Sequence, residues 1–232
     1  MSHLGYLRGE ARQGPPRWRV HQRLRALVGT SQLADYSLRG ARSAGPIRLV
    51  IARDVSASMS SMVVPREAAL AELLAWVPDN LRANDEVGVL DFAVGAQWVL
   101  RPTMVHHLSA VAGALSASTL DGSGTEWRPV LDRVQALPTN RARTSLWLVS
   151  DGLYPDYPTS VDLGRRILQD AGVHSMPLLI PTSPGDVPQA WVDLFPKEPC
   201  LTFDGLDASA TAMAFAHALV TVTGQRLVRH AA

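Results

Sequence analysis

The stretch IRLVIARDVSASMSSM, residues 47–62, is mostly apolar as far as Ala52 and then presents one aspartate and four serines in quick succession. Ile47–Ala52 reads as a buried strand, rich in β-branched residues and interrupted only by Arg48. The spacing Asp54-x-Ser56-x-Ser58 gathers a carboxylate and two hydroxyls on the turn that follows. Such a turn either caps the next helix, where Ser and Asp are favoured, or holds something positively charged.

Downstream, strand and helix patterns alternate. Pro65 opens a helix with Leu70, Leu73, Leu74 and Val77 on one face, and Pro78 is expected to end it. EVGVLDFAV and AQWVL, parted by Gly95, predict an antiparallel hairpin. A helix over residues 108–117, the loop TLDGSGTEW and a helix with Val130, Val134 and Leu137 on one side come next. SLWLVSDG is a second core strand that ends in aspartate. A helix over residues 161–171, strands in HSMPLLIP and PCLTF, and a terminal helix through Ala212, Phe215, Leu219 and Val222 follow, the last closed by Gly224. This order predicts an α/β fold. The expected architecture is a doubly wound, mostly parallel six-stranded sheet with helices on both faces and one antiparallel edge strand.

The length of 232 residues suits one such domain with an extension. Net charge is only +1, but residues 1–45 hold eight arginines against Glu10 and Asp35, a balance of +6. Within them RWRVHQRLRALVG predicts a short basic amphipathic helix, and GARSAGP a linker. The expected organisation is therefore an N-terminal extension (1–45), a core domain (46–225) and a tail (226–232). Lys197 is the only lysine, which reads as the coding bias of a GC-rich, bacterial genome. The lone Cys200 excludes an intrachain disulfide and cysteine-based metal motifs. No apolar leader and no window long enough to span a bilayer are visible, so the expected location is cytoplasmic.

In doubly wound sheets ligands bind beyond the carboxyl ends of the strands, where the strand order reverses. Asp54 follows LVIAR and Asp151 follows LWLVS. Adjacent strands at the reversal bring both carboxylates to one crevice, with Ser56, Ser58 and Thr125 adding hydroxyls. That donor set is all oxygen. It suits Mg²⁺, with Mn²⁺ as the alternative, and contains no soft ligand.

The constellation resembles the von Willebrand factor A domain family and its metal-ion-dependent adhesion site. The family's Asp-x-Ser-x-Ser motif appears as DVSAS, its threonine loop as GSGTEW and its final aspartate as LVSDG, in family order. The resemblance covers residues 46–225. Ala57 stands where the family often has glycine, and residues 1–45 have no counterpart. The resemblance implies that Ser56, Ser58 and Thr125 contact the metal directly and that Asp54 and Asp151 often act through water. It further implies that a partner protein supplies a Glu or Asp to the metal. It is closest in character to stand-alone bacterial A-domain adaptors, which often work with MoxR-type AAA+ ATPases or in stress and defence gene clusters.

Other readings of single residues are plainer. Asp91 is expected to pair with an arginine, and the tryptophans to pack, with a place for Trp127 at the site rim as the alternative. A hydrolase is the runner-up function. GSGT superficially resembles a subtilisin-type nucleophile loop, but no His-Gly motif supplies a base for Ser123. A dehalogenase-type phosphatase needs a second aspartate where Ser56 stands, and there is no G-x-S-x-G elbow or P-loop. Nucleic-acid binding through the basic segment is a further alternative. The expectation is a non-enzymatic, Mg²⁺-dependent protein-binding module.

Overall fold

The computed structural model describes residues 21–23, 33–111, 118–181 and 187–230. The sheet is built around β3 (Ile47–Asp54), all eight of whose residues are buried. Even Arg48 and Arg53 are buried there, because each lies directly opposite an acid of β4 (Glu86–Phe92): Arg48 faces Glu86 and Arg53 faces Asp91. The pairs are bonded, Arg48 Nε to Glu86 at 2.5 Å and Arg53 to Asp91 at 2.6 Å. The arginine partner expected for Asp91 is therefore Arg53.

β4 runs parallel to β3, and β5 (Ala96–Met104) folds back antiparallel as the edge strand. Pro102 sits on this edge, where its missing N–H costs the ladder least. On the other side of β3 lie β6 (Arg143–Val149), β8 (Leu178–Pro181) and β9 (Cys200–Phe203), all parallel. These are the six expected strands. Two three-residue strands bring the sheet to eight: β7 (Val173–Ser175) on β6, and β1 (His21–Arg23) on β9. His21–Arg23 lies within the stretch expected to be a basic helix; the edge of β9 offers it backbone partners as a parallel strand instead. Most of that stretch falls outside the described residues.

Helices cover both faces. α1 (Val63–Asn80), α2 (Val105–Val111) and α6 (Ala208–Thr223) cover the face that takes Leu49 and Ile51 of β3. α3 (Arg128–Gln135), α4 (Val161–Asp170) and α5 (Gln189–Leu194) lie over the face that takes Val50 and Ala52. The period-two alternation of a strand thus feeds two separate apolar cores. α1 runs past Pro78 to Asn80: the proline forfeits one ladder bond, and the Leu81 N–H donating to the Val77 carbonyl closes the helix beyond it. α6 begins at Asp207, whose carboxylate accepts from the Ser209 and Ala210 N–H groups, and ends at Gly224 in the left-handed conformation. α5 has no counterpart among the expected elements.

The segments read as extension and tail meet in an antiparallel ribbon, β2 (Tyr36–Arg39) with β10 (Arg226–Arg229). Leu33 is fully buried in the α1/α6 core, and Arg42 reaches the buried Asp85 at 2.6 Å. The packed unit therefore extends beyond residues 46–225 on both sides. Among the described residues no helix is long and apolar enough to cross a membrane.

Candidate metal site

From β3 the chain goes to β4 on one side and later to β6 on the other, so the strand order reverses between β3 and β6. Arg53 pairs with Val149 across that boundary, which brings Asp54 level with the Ser150–Asp151 corner. The predicted juxtaposition of the two aspartates is present. Ser58 Oγ donates to Asp151 Oδ2 at 2.9 Å and lies 3.1 Å from Ser56 Oγ. Asp54, fully buried, accepts at Oδ1 from the Ser56 N–H (2.8 Å) and at Oδ2 from Ser150 Oγ (2.6 Å). Asp54, Ser56, Ser58 and Asp151 therefore form one small polar pocket at the carboxyl edge.

Thr125 arrives with its loop. Gly122, at φ +69°, packs so tightly on the first loop that a Cβ there would lie 2.8 Å from the Val55 carbonyl. Its carbonyl accepts from the Ala57 N–H (3.2 Å), and the Glu126 N–H donates to the Ala93 carbonyl (2.8 Å). Thr125, half-buried, is held between these two anchors.

Neither carboxylate has a salt bridge among the described residues, and burial pushes the Asp54 carboxyl above its ordinary range. A buried carboxylate with no salt-bridge partner is unfavourable as an anion, and a bound cation relieves that cost. The gathered residues fit a hard divalent ion: two carboxylates and the hydroxyls of Ser56 and Ser58, with Thr125 on the adjoining loop and no thiolate or imidazole. Among the described residues no cluster of three or more His, Cys, Asp or Glu competes for it.

Several supporting residues carry no motif of their own. Ser150 precedes the final aspartate and holds Asp54 while accepting from the Gly152 N–H at 3.1 Å. Arg66, on the first turn of α1 and buried, donates to the Asp54 carbonyl. Asp156 accepts from the Trp127 and Arg128 N–H groups and so caps α3. Trp127 is fully buried, donates Nε1–H to the Asp156 carbonyl and meets Phe195 edge-on at 5.5 Å. It packs and does not rim the pocket.

By sequence, no protein-family model and no curated protein matches the chain. By structure, solved proteins do. The conserved hypothetical protein BatB of Bacteroides thetaiotaomicron superposes with a TM-score of 0.53 at 15% identity, over 76% of this chain and 98% of that one. A von Willebrand factor type A protein from Catenulispora acidiphila gives 0.51 at 19% identity, over 79% and 49%. Proximal thread matrix protein 1 of the mussel byssus, solved with a zinc-occupied adhesion-site motif, gives 0.55 at 13% identity, over 85% and 51%. At such identities the likeness is one of fold. The chain has the Rossmann-like fold of the von Willebrand factor type A domain.

Proposed function

We propose that this protein is a non-enzymatic, metal-dependent protein-interaction module. Asp54, Ser56, Ser58, Thr125 and Asp151 hold Mg²⁺, or Mn²⁺, at the carboxyl edge, and a partner's Glu or Asp completes the site. The observation that carries this reading is the pairing of the Ser56–Ser58–Asp151 hydroxyl chain with a buried Asp54 whose carboxylate has no salt bridge among the described residues, at the strand reversal.

A bound divalent ion would supply Lewis acidity toward an external carboxylate. The chain's own residues prepare for that. Ser150 and the Ser56 N–H fix the Asp54 carboxylate in one orientation, so no reorganisation is needed on binding. Ser58 presents its hydroxyl between Ser56 and Asp151, already aimed into the pocket. Gly122 lets the threonine loop approach the first loop closely enough for both to share one ligand. The zinc found in the adhesion-site motif of the mussel protein supports a divalent ion here.

Calorimetry with Mg²⁺ tests the reading. Wild type should bind with one-site stoichiometry, and Asp151→Ala should lose at least tenfold in affinity with its thermal stability retained. Wild-type affinity in Asp151→Ala would remove the assignment. A pull-down in Mg²⁺ and in EDTA then identifies partners, a MoxR-type ATPase among the candidates.

A further inference from the structure

Large apolar side chains exposed to solvent are unevenly placed. Of six among the described residues, five lie on the carboxyl-edge loops or at the start of α1, and only Met104 sits at the opposite edge. Leu153 is 68% exposed and directly follows the Asp151–Gly152 corner, where its N–H donates to Asp151 Oδ1. Val64 (78%) and Leu206 (65%) stand on neighbouring segments, since a Cβ on Gly205 would lie 2.8 Å from Met62 Sδ just before α1. Val94 (49%) closes the ring beside the threonine loop, its Cγ2 lying 2.9 Å from where a Cβ on Gly124 would be.

Charge is just as polarised. The described carboxyl-edge loops (54–62, 93–95, 118–127, 150–160 and 204–207) contain no Lys or Arg. Besides Asp54 and Asp151 they carry Asp121, Glu126, Asp156, Asp204 and Asp207. Asp156 and Asp207 serve as helix caps, and Asp121 and Asp204 close local turns. Arg66 on the first turn of α1 is buried and donates to the Asp54 carbonyl, and Arg128 directly follows the threonine loop. A divalent ion would offset Asp54 and Asp151, while Asp121, Asp204 and Asp207 stay exposed to solvent and Glu126 and Asp156 are half-buried.

We infer that the partner presents its carboxylate from a basic and apolar surface, and that an acidic tract is rejected. This rests on the metal-dependent reading above and adds the chemistry around the ligand residue. The exposed acids of this rim repel a polyacidic segment and attract arginines or lysines flanking a single acid. The ring of Val64, Val94, Leu153 and Leu206 gains when apolar side chains cover it, and water driven from the centre strengthens the charged contact. The metal is common to any acidic ligand, so discrimination falls to this rim.

The probes are short peptides. The chain's own residues 4–13, LGYLRGEARQ, have the required chemistry, with Glu10 between Arg8 and Arg12 and next to Leu4, Tyr6 and Leu7. The comparison peptide carries R8E and R12E, and a control carries E10Q. Binding of each labelled peptide to the full chain is read by anisotropy in Mg²⁺ and in EDTA. The basic peptide should bind in Mg²⁺ at least tenfold tighter than either other peptide, with the gap narrowing at high salt. Asp121→Asn with Asp204→Asn should cut that preference severalfold, and Leu153→Ser with Leu206→Ser should weaken the basic peptide. Mg²⁺ affinity measured alone should stay unchanged in both double variants. Equal binding of the basic and acidic peptides, or binding of none while Mg²⁺ binds normally, overturns the inference and leaves the metal site standing. Failure of Mg²⁺ itself to bind overturns the functional reading beneath it.

Discussion

At the scale of single residues, the pocket depends on groups that are not ligands themselves. Ser150 donates to Asp54 Oδ2 at 2.6 Å with both partners fully buried. Removing that hydroxyl leaves a buried carboxylate with one fewer donor, at a cost of about 1.5–3 kcal/mol for a bond to a charged group. Ser150→Ala is expected to lower the denaturation free energy by that order in EDTA. It should also weaken Mg²⁺ severalfold, because Asp54 is then free to rotate away from the ion. Denaturant titration with and without Mg²⁺ measures both. A larger stability loss with saturating Mg²⁺ is expected, since the variant's weaker hold on the ion adds to the loss seen in EDTA.

At the scale of elements, the β3–β4 ladder carries two buried cross-strand ion pairs, Arg48–Glu86 and Arg53–Asp91. The second lies directly before the Asp54–Ser58 loop. Arg53 also reaches Glu67 on α1, and Arg66 of the same turn donates to the Asp54 carbonyl. Strand, helix and loop are thus bound by one buried charge cluster. Asp91→Ala leaves Arg53 with only the half-exposed Glu67, and losing one partner of a buried pair costs about 3–5 kcal/mol. A fall of that order in denaturation free energy is the expected outcome. Replacing both Arg53 and Asp91 with Met and Leu should be milder than Asp91→Ala, because no charge is then left unpaired. The reverse order of stabilities would show that the cluster does not act as a pair.

At the scale of the whole molecule, the two ends of the chain belong to one packed body. β2 and β10 form a ribbon, Leu33 enters the core, and Asp85 gathers Arg42 together with the N–H groups of Ile47 and Arg82. Deleting residues 1–20 removes none of these contacts and should leave the melting temperature nearly unchanged. Deleting residues 1–45 exposes the apolar surface under Leu33 and strips Asp85 of its arginine, and should lower the melting temperature sharply. The two truncations, compared by scanning calorimetry, place the lower boundary of the folded unit. Equal melting temperatures would put that boundary at residue 46.

What the sequence determined is what local pattern can carry. Buried strands announce themselves by apolar runs, helices by their periodicity, and a strand order that alternates with helices leaves the parallel sheet as the economical solution. The Asp54, Ser56 and Ser58 spacing is local too, so three proposed ligands were legible as a group. Asp151 was legible from its place after a second core strand, whereas Thr125 rested on motif resemblance. Their approach depends on β6 lying next to β3 and on Gly122 fitting against Val55. The tertiary structure alone decided the rest. The burial of Arg48 and Arg53 required acids at matching register on a neighbouring strand, and the hold of Ser150 on Asp54 spans 96 positions. The ribbon of β2 with β10, and the apolar ring with its acidic surround, join segments far apart in the chain. Such contacts leave no periodic trace, because each half is satisfied only when the other has folded beside it.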